Sequence, residues 1–362
     1  MSGMITFLLF VIMLAAIISI HEFGHFVACK IFNVYVSEFS IGMGKQLYSH
    51  KGKETTFSIR MLPLGGYCAI AGDNDSDFEA KQDYDETSIP EERTLKGVAK
   101  WKKIIILLSG VTMNLLLALL IVSGVYLYEG QASVSPKPII QEVVESSPAE
   151  RGGLVKEDLI VKAEYENGYS ISPSTFSELS DFLLLYESGE IKLTVKRGNE
   201  TLNLEVTPEY SEESDSYMIG IYSKQFDVVD INIGNCFIYA TEYLRTMFKL
   251  MLTTILGLFR GVGLNNISGP VGIYNATSQV VAQGFEPYLL LIAMLSLNVA
   301  MFNLIPLPAL DGGRVILTLV EAIIGRPISK KLEEVIMTAS VIIFIGLLVF
   351  ATWQDILKLF VK

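Results

Sequence analysis

The chain is poor in cysteine, histidine and charge. Its 362 residues include three cysteines and three histidines, and 19% of them are charged. Cys29, Cys68 and Cys236 form no Cys-x-x-Cys pair, so the sequence indicates neither a disulfide framework nor a thiolate zinc site. Low charge together with 51% hydrophobic residues argues against a wholly soluble protein and favours a membrane protein.

Four long segments contain no charged residue, and each has about the 20 residues that a membrane-spanning helix needs. These segments are Met4–Ile20, whose apolar character resumes after Glu22 and continues to Cys29, Ile104–Tyr128, Tyr288–Leu310 and Val335–Gln354. The sequence therefore predicts a polytopic α-helical membrane protein with four transmembrane helices. The first segment has no basic leader, so we expect it to stay attached rather than be cleaved as a signal peptide.

Charge is distributed unevenly along the chain. Between Glu129 and Asp230 there are 20 acidic and 8 basic residues, which accounts for the net charge of −11. Basic residues instead flank the second span and separate the third from the fourth. The positive-inside rule therefore predicts that these two flanking loops face the cytoplasm and that the acidic segment lies outside.

The predicted organisation alternates spans and loops. The segments are 1–30, transmembrane helix 1; 31–103, a β-rich cytoplasmic loop with a re-entrant hairpin; 104–128, transmembrane helix 2; 129–229, an outer α+β domain; 230–287, an amphipathic helix and connector; 288–313, transmembrane helix 3; 314–334, a cytoplasmic loop; and 335–362, transmembrane helix 4. Within the outer domain, periodicity predicts strands at Ile139–Val144, Ile191–Lys196 and Leu202–Val206, and helices at Ser147–Ala149 and Thr175–Tyr186. We expect Tyr239–Phe259 to be the amphipathic helix at the outer surface.

The first span ends in the pattern His-Glu-x-x-His. His21 and His25 are four residues apart, so they project from one helical face and can bind one Zn²⁺ ion. Glu22 is placed to take a proton from a zinc-bound water as the general base. An alternative is that these are polar residues at a helix end. Ionisable groups within an apolar span cost free energy, so they usually occur there only when they are buried, paired and functional. This favours the metal site.

A catalytic zinc requires a third protein ligand. Glu38 is the nearest downstream carboxylate, but it lies in the predicted cytoplasmic loop. Asp311 is preferred because it is expected at the cytoplasmic end of the third span, at the same depth as His21 on the first. The alternative for Asp311 is a helix-end carboxylate at the membrane interface.

These motifs resemble those of the site-2 protease family of intramembrane zinc metalloproteases (peptidase family M50), especially bacterial members that carry a PDZ domain. The resemblance covers nearly the whole chain and includes the segments His21–His25, Pro63–Tyr67, Ser268–Ile273 and Asn303–Gly313, together with an outer domain resembling one PDZ unit. One departure is that Gly110–Asn114 lacks the proline that the family usually has in the second span. Another is that the chain has room for only one PDZ domain.

The resemblance implies one Zn²⁺ per chain held by His21, His25 and Asp311, with Glu22 as the base. It also implies a bacterial plasma-membrane location, with the PDZ-like domain outside and the zinc near the cytoplasmic leaflet. The expected substrates are single-span membrane proteins, such as anti-sigma factors, or signal-peptide remnants. The lipid bilayer is the other expected partner, and no nucleic acid is expected.

Several residues are expected near the substrate. Asn298 and Asn303 match family positions, Pro306 interrupts the third span, and Gly65 and Gly66 could form a hairpin that receives the substrate as an added strand. The alternatives are helix packing for the asparagines and an ordinary turn for the glycines. Asn114 is expected to serve helix packing.

Three functions remain possible at this stage: the protease, an inactive PDZ-bearing membrane scaffold and a metal transporter. The scaffold predicts a broken ligand set, and the transporter predicts ionisable residues in several spans. The outer domain is expected either to exclude bulky substrates or to capture a newly exposed C-terminus.

Overall fold

The computed structural model describes most of the chain. The described residues are 3–73, 89–166, 168–184, 189–211, 216–224, 226–259, 269–326 and 328–360. Residues 74–88 of the predicted cytoplasmic loop, and Ser268, lie outside this part. The chain forms two compact units, one made of Met1–Tyr128 and Gly234–Lys362 and the other of Glu129–Ile233.

The four predicted spans correspond to four long apolar helices in the first unit. Their bounds are α1, Gly3–Ile31; α2, Lys100–Glu129; α7, Phe285–Asn303; and α9, Lys330–Phe360, whose apolar part is Val335–Asp355. Each helix is long and apolar enough to cross a bilayer of about 30 Å hydrocarbon thickness at 1.5 Å per residue. The prediction of four membrane-spanning helices is confirmed at this level.

The first unit contains three further helices. They are α5, Cys236–Phe259; α6, Pro270–Gln283; and α8, Asp311–Ile324. Helix α5 contains the charged residues Glu242, Arg245 and Lys249, and it is not one of the candidate spans. The predicted helix at Tyr239–Phe259 is therefore present and begins three residues earlier.

The third span ends earlier than predicted. The uncharged run continues to Leu310, but helix α7 ends at Asn303, and Asp311 is the first residue of a separate helix, α8. Pro306 and Pro308 explain the break, because proline lacks the backbone N–H and disfavours helical geometry in the residue before it. Asp311 thus reaches its position through a turn and a second helix, and the expectation that it terminates the span was wrong.

The loop after α1 forms one long antiparallel pair of bent strands, β1 (Val36–Lys51) and β2 (Thr56–Ile70). The far half of β2 pairs with the start of β1, as in the pairs Val36 with Ile70 and Ile41 with Gly66. The predicted strands in this loop are confirmed. Gly65 and Gly66 lie within β2 rather than in an isolated turn.

Two buried clusters hold the first unit together. Residues Phe10, Met13 and Ile17 of α1 pack against α6 and α7, and Tyr288 donates a hydrogen bond to the Leu9 carbonyl over 2.9 Å. A second cluster joins the end of α1, both strands and the start of α2. Helix α1 is therefore fixed at both ends.

The second unit is an α+β fold. Its elements are β3 (Gln131–Val134), β4 (Glu142–Val143), α3 (Pro148–Arg151), β5 (Leu159–Tyr165), β6 (Ser170–Ile171), α4 (Phe176–Leu184), β7 (Ile191–Arg197), β8 (Glu200–Val206), β9 (Glu209–Ser211), β10 (Ser216–Met218), β11 (Ile221–Tyr222) and β12 (Asp227–Asp230). The four-stranded sheet has the order β6-β5-β7-β8 and covers a core of its own. The first and last strands, β3 and β12, pair with each other.

The predicted elements of this unit are largely present. Helix α3 begins after Ser147, whose hydroxyl accepts a hydrogen bond from the Glu150 amide as an N-cap. The predicted strand over Ile139–Val144 is interrupted, because Ile140 bonds to the Asp158 carbonyl whereas Gln141 bonds to the Tyr222 carbonyl. The change of partner leaves only the short strand β4.

Candidate metal centre

Helix α1 presents two imidazoles on one buried face. His21 and His25 are 6% and 7% exposed, and their rings meet edge to face with centroids 4.9 Å apart. Their Nε2 atoms lie 3.3 Å apart. The four-residue spacing on an α-helix produces this pairing, as the sequence predicted.

Helix α2 crosses α1 at a pair of glycines. A methyl group on Gly24 would lie 2.3 Å from the Ser109 carbonyl oxygen, and one on Gly110 would lie 2.5 Å from His25 Nε2. Both distances are below van der Waals contact. The absence of side chains at these positions therefore allows the backbone of α2 to pass directly beside the imidazoles.

The same face of α2 orients His25. Its Nδ1 lies 2.8 Å from the Ile106 carbonyl oxygen, which can only accept a hydrogen bond. Nδ1 therefore carries the proton of the neutral ring, and the lone pair is on Nε2. A ring held in this way is ready to bind a metal through Nε2.

Asn114 faces the other imidazole. Its side chain is fully buried, and its Nδ2 lies 3.4 Å from His21 Nδ1. The amide oxygen Oδ1 is buried without a hydrogen-bond partner in the described part of the chain. Rotating the amide by 180° would bring Oδ1 to Nδ1, the arrangement that His21 requires when Nδ1 carries the proton and Nε2 binds a metal.

Asp311 brings a carboxylate to the two imidazoles. It is 8% exposed, and its Oδ2 lies 3.0 Å from His21 Nε2 and 3.4 Å from His25 Nε2. Gly312 and Gly313 make the position possible, because methyl groups there would lie 2.4 Å and 2.2 Å from the carbonyl oxygens of Leu304 and Leu307. Helix α8 can begin only because these two residues pack closely on the preceding turn.

The three ligand atoms fit a zinc ion. Zinc bound tetrahedrally at about 2.0–2.1 Å requires ligand atoms about 3.3 Å apart, and the three separations here are 3.0, 3.3 and 3.4 Å. Asp311 Oδ2 is buried with no hydrogen-bond donor among the described residues. With the His25 proton on Nδ1, its Nε2 and Asp311 Oδ2 both present lone pairs, which would repel each other unless a cation lay between them.

Glu22 lies beside this cluster and next to strand β2. Its side chain is half-buried, and the Cys68 backbone amide lies near its carboxylate. A β-carbon on Gly66 would lie 2.8 Å from the Ser40 carbonyl oxygen and 3.9 Å from Glu22 Cγ, so Gly66 packs closely on strand β1 and borders Glu22. The Glu22 carboxylate thus lies between strand β2 and the three potential metal ligands.

Comparison with known proteins gives the family. The family model described as "Peptidase family M50" matches residues 9–347, which include His21, His25 and Asp311. The chain belongs to peptidase family M50. The resemblance drawn from the motifs is therefore confirmed, and the chain is a membrane peptidase.

Similar proteins occur in several bacteria. A Clostridium acetobutylicum protein provisionally named a zinc metalloprotease is 33% identical over 341 residues, covering 94% of both chains. A Rickettsia conorii protein with the same provisional description is 32% identical over 369 residues, covering 99% of this chain and 100% of its own. The zinc metalloprotease RasP of Oceanobacillus iheyensis is 27% identical over 434 residues, with 99% and 100% covered.

The alternative third ligand, Glu38, is engaged elsewhere in this M50 peptidase. Its carboxylate accepts hydrogen bonds from Arg60 over 3.0 and 3.2 Å, from Tyr67 over 2.6 Å and from Ser58. It is not part of the His21, His25 and Asp311 group. This network braces strands β1 and β2, so Asp311 remains the preferred ligand.

The residues expected near the substrate are divided between two places. Gly65 and Gly66 are buried in β2 beside Glu22, whereas Asn298 and Asn303 are half-buried on α7 and Pro306 is exposed in the turn before α8. Among the described residues, neither of these two asparagine side chains has a hydrogen-bond partner. Their roles stay predictions.

Sequence reasoning missed the contribution of the second span. Ile106, Gly110 and Asn114 are four residues apart, and all three contact the imidazoles. Asn114 was expected to serve helix packing, and it does so twice: its side chain contacts His21 of α1, and its backbone carbonyl accepts a 2.9 Å hydrogen bond from Ser296 of α7. The spacing was a usable signal, because it places a glycine and an asparagine on one helical face.

Proposed function

We propose that this M50 peptidase is an intramembrane zinc metalloendopeptidase in which His21, His25 and Asp311 hold one zinc ion. The observation that carries the proposal is the convergence of three buried ligand atoms, spaced as zinc requires, beside the Glu22 carboxylate. A bound zinc supplies Lewis acidity and lowers the pKa of a coordinated water. The names of the bacterial relatives support zinc as the metal.

Glu22 is the general base of this proposal. Its carboxylate takes a proton from the attacking water and returns it to the amine that leaves when the peptide bond breaks. Asn114 and the Ile106 carbonyl keep the two imidazoles oriented through their Nδ1 atoms.

Strand β2 is the proposed substrate platform. A helical substrate must unwind to expose its peptide bond, and an extended segment can add to a strand through backbone hydrogen bonds. Gly65 and Gly66 lie on this strand, and Gly66 borders Glu22. Asn298, Asn303 and Pro306, which lie before α8, are the proposed further contacts with the substrate.

The proposed substrates are transmembrane segments of single-span proteins, including anti-sigma factors or signal-peptide remnants, in a bacterial plasma membrane. The zinc lies towards the cytoplasmic leaflet, and the second unit lies outside as a PDZ-like domain. The net negative charge of that unit and the basic residues flanking the spans support this orientation. The domain filters substrates by size or captures a C-terminus.

The two rival functions have less support. An inactive scaffold would tolerate loss of a ligand, and all three ligands are present together. A transporter would use ionisable groups in other spans. Asp355 of α9 is buried, but its Oδ2 accepts hydrogen bonds from the Gly269 and Gly272 amides over 2.9 and 2.7 Å, which caps helix α6.

Reconstitution with single-span substrates tests the proposal. Glu22→Gln should keep one zinc per chain but lower the cleavage rate by at least about 100-fold, because only the base is lost. Glu286→Gln is the matched control, since it makes the same carboxylate-to-amide change in the first turn of α7. Cleavage by Glu22→Gln at the wild-type rate would refute the assignment of the base.

A further inference from the structure

Helix α8 positions the third proposed ligand, and its first turn packs on the preceding turn through Gly312 and Gly313 but has no side-chain cap. Asp311 is the first residue of the helix, and the N-cap residue Leu310 provides no side-chain hydrogen bond. The position of the carboxylate therefore depends on what holds α8 along its length. Within the described part of the chain, two ion pairs connect α8 to other elements of the same unit.

The first ion pair joins Arg314 to Asp73. Arg314 lies one turn after Asp311, and Asp73 lies three residues beyond the end of β2. The side chains are only 19% and 9% exposed, so the charges attract each other with little screening by water. Removing one partner would take away a charge that stabilises the other in this shielded position.

The second ion pair joins Glu321, farther along α8, to Lys100 at the start of α2. Its atoms are 2.5 Å apart, but Lys100 is 45% exposed. Exposed ion pairs contribute little, because water and salt screen them. The two pairs therefore differ in strength, and the shielded pair is also the one nearer to Asp311.

We propose that Arg314 is a positioning residue that couples strand β2 to the metal ligand Asp311. Strand β2, which ends three residues before Asp73, carries Gly66 and Cys68, and both of these residues border Glu22. One ion pair thus links the proposed substrate strand to the helix that brings the third ligand. The inference rests on the proposed function, in which Asp311 binds zinc.

The coupling has a geometric reason. Metal ligands must be held within about 0.5 Å of their productive positions. Asp311 Oδ2 meets two imidazole nitrogens at 3.0 and 3.4 Å, and a displacement of α8 would lengthen both separations together. Loss of the Arg314 contact should therefore weaken zinc binding although Arg314 touches none of the three ligand atoms.

Zinc affinity of the full chain in nanodiscs tests this inference, measured by competition with a chromophoric chelator. Arg314→Gln and Asp73→Asn should each raise the zinc Kd by about tenfold or more, as supporting residues around metal sites do. The control Lys100→Gln removes the exposed pair and should change the Kd by less than about twofold. The double exchange Asp73→Arg with Arg314→Asp should restore most of the affinity.

The outcomes separate the two proposals. A Kd within about twofold of wild type in both single variants would overturn the coupling while leaving the proposed function intact. If the single variants fail to fold, the double exchange decides, because a folded double variant without recovered affinity also overturns the coupling. A folded wild-type chain that takes up no zinc would refute the proposed function and, with it, the role given to Arg314.

Discussion

Gly110 lies directly against the imidazole rings of the candidate metal centre. A β-carbon there would lie 2.5 Å from His25 Nε2, 2.7 Å from His21 Cε1 and 2.8 Å from His21 Nε2. These are the atoms proposed to face the metal. The glycine is thus as much a part of the site as the ligands, although it donates nothing to the ion.

We predict that Gly110→Ala removes zinc binding while the chain still folds. The methyl group would displace both imidazoles, and ligand atoms must stay within about 0.5 Å of their positions. Gly124→Ala on the same helix is the control, since its methyl group would meet nothing within 4 Å. Metal analysis of the purified proteins measures the effect, and full zinc occupancy in Gly110→Ala would contradict it.

At the residue scale, the sequence predicted what side-chain spacing dictates. His21 and His25 lie together because four residues make about one helical turn. The orientation of the His25 ring could not be predicted, because it depends on the backbone carbonyl of Ile106. Every residue has a backbone carbonyl, so the sequence does not show which one a histidine will contact. The pairing of Asn114 with His21 required knowing which face of α2 meets α1.

At the level of elements, prolines explain why the predicted end of the third span was wrong. Hydropathy predicts one span over the uncharged run Tyr288–Leu310, because it does not register helix breaks. Pro306 and Pro308 end the helix, and Asp311 starts a new one. Asp311 still reaches the imidazoles, because a turn and a helix start can place a carboxylate at the same depth as a helix end.

An ion pair of the second unit joins the buried carboxylate of Asp158 to the partly exposed Arg197. Asp158 is fully buried and bonds to Arg197 through both oxygens, each over 2.8 Å, and to the Val155 amide over 3.0 Å. Burial alone would raise the pKa of Asp158, but the bonds from Arg197 and the amide lower it below its ordinary value. The charged carboxylate therefore stabilises this unit.

We predict that Asp158→Asn speeds amide hydrogen exchange in β5 and β7 of the full chain by about tenfold at neutral pH. Because the folded pKa is lowered, this stabilisation is complete above the unfolded pKa of about 3.9 and is lost as pH falls through the lower folded value. The difference between variant and wild type should therefore shrink below about pH 4. Glu205→Gln, in an exposed pair with Lys192, is the control. Equal exchange rates in Asp158→Asn and wild type at neutral pH would contradict the prediction.

At the scale of the whole molecule, the second unit is built as an insertion. Its first and last strands pair, with Gln131 opposite Asp230, and the Ile231 amide donates a 2.8 Å hydrogen bond to the Gly130 carbonyl. Its apolar core consists of its own residues. Composition predicted this separation, because the acidic segment and the uncharged spans differ so strongly. The arrangement of its strands depended on long-range pairing that periodicity does not encode.

We predict that replacing residues 131–230 with a short Gly-Ser linker leaves zinc binding intact. The ends to be joined, Gly130 and Ile231, already lie side by side, because the Ile231 amide donates a 2.8 Å hydrogen bond to the Gly130 carbonyl, so no spanning helix has to move. All three proposed ligands lie in the other unit. Zinc content of the shortened, folded protein measures this, and loss of the metal would show that the second unit helps to build the site.

The central claim is that two imidazoles and one carboxylate hold a single zinc. Zinc X-ray absorption spectroscopy of the purified chain tests it most directly. The predicted spectrum has only nitrogen and oxygen neighbours at about 2.0–2.1 Å, with the outer-shell scattering of two imidazole rings. A sulfur neighbour at about 2.3 Å, or a spectrum without imidazole scattering, would contradict the claim.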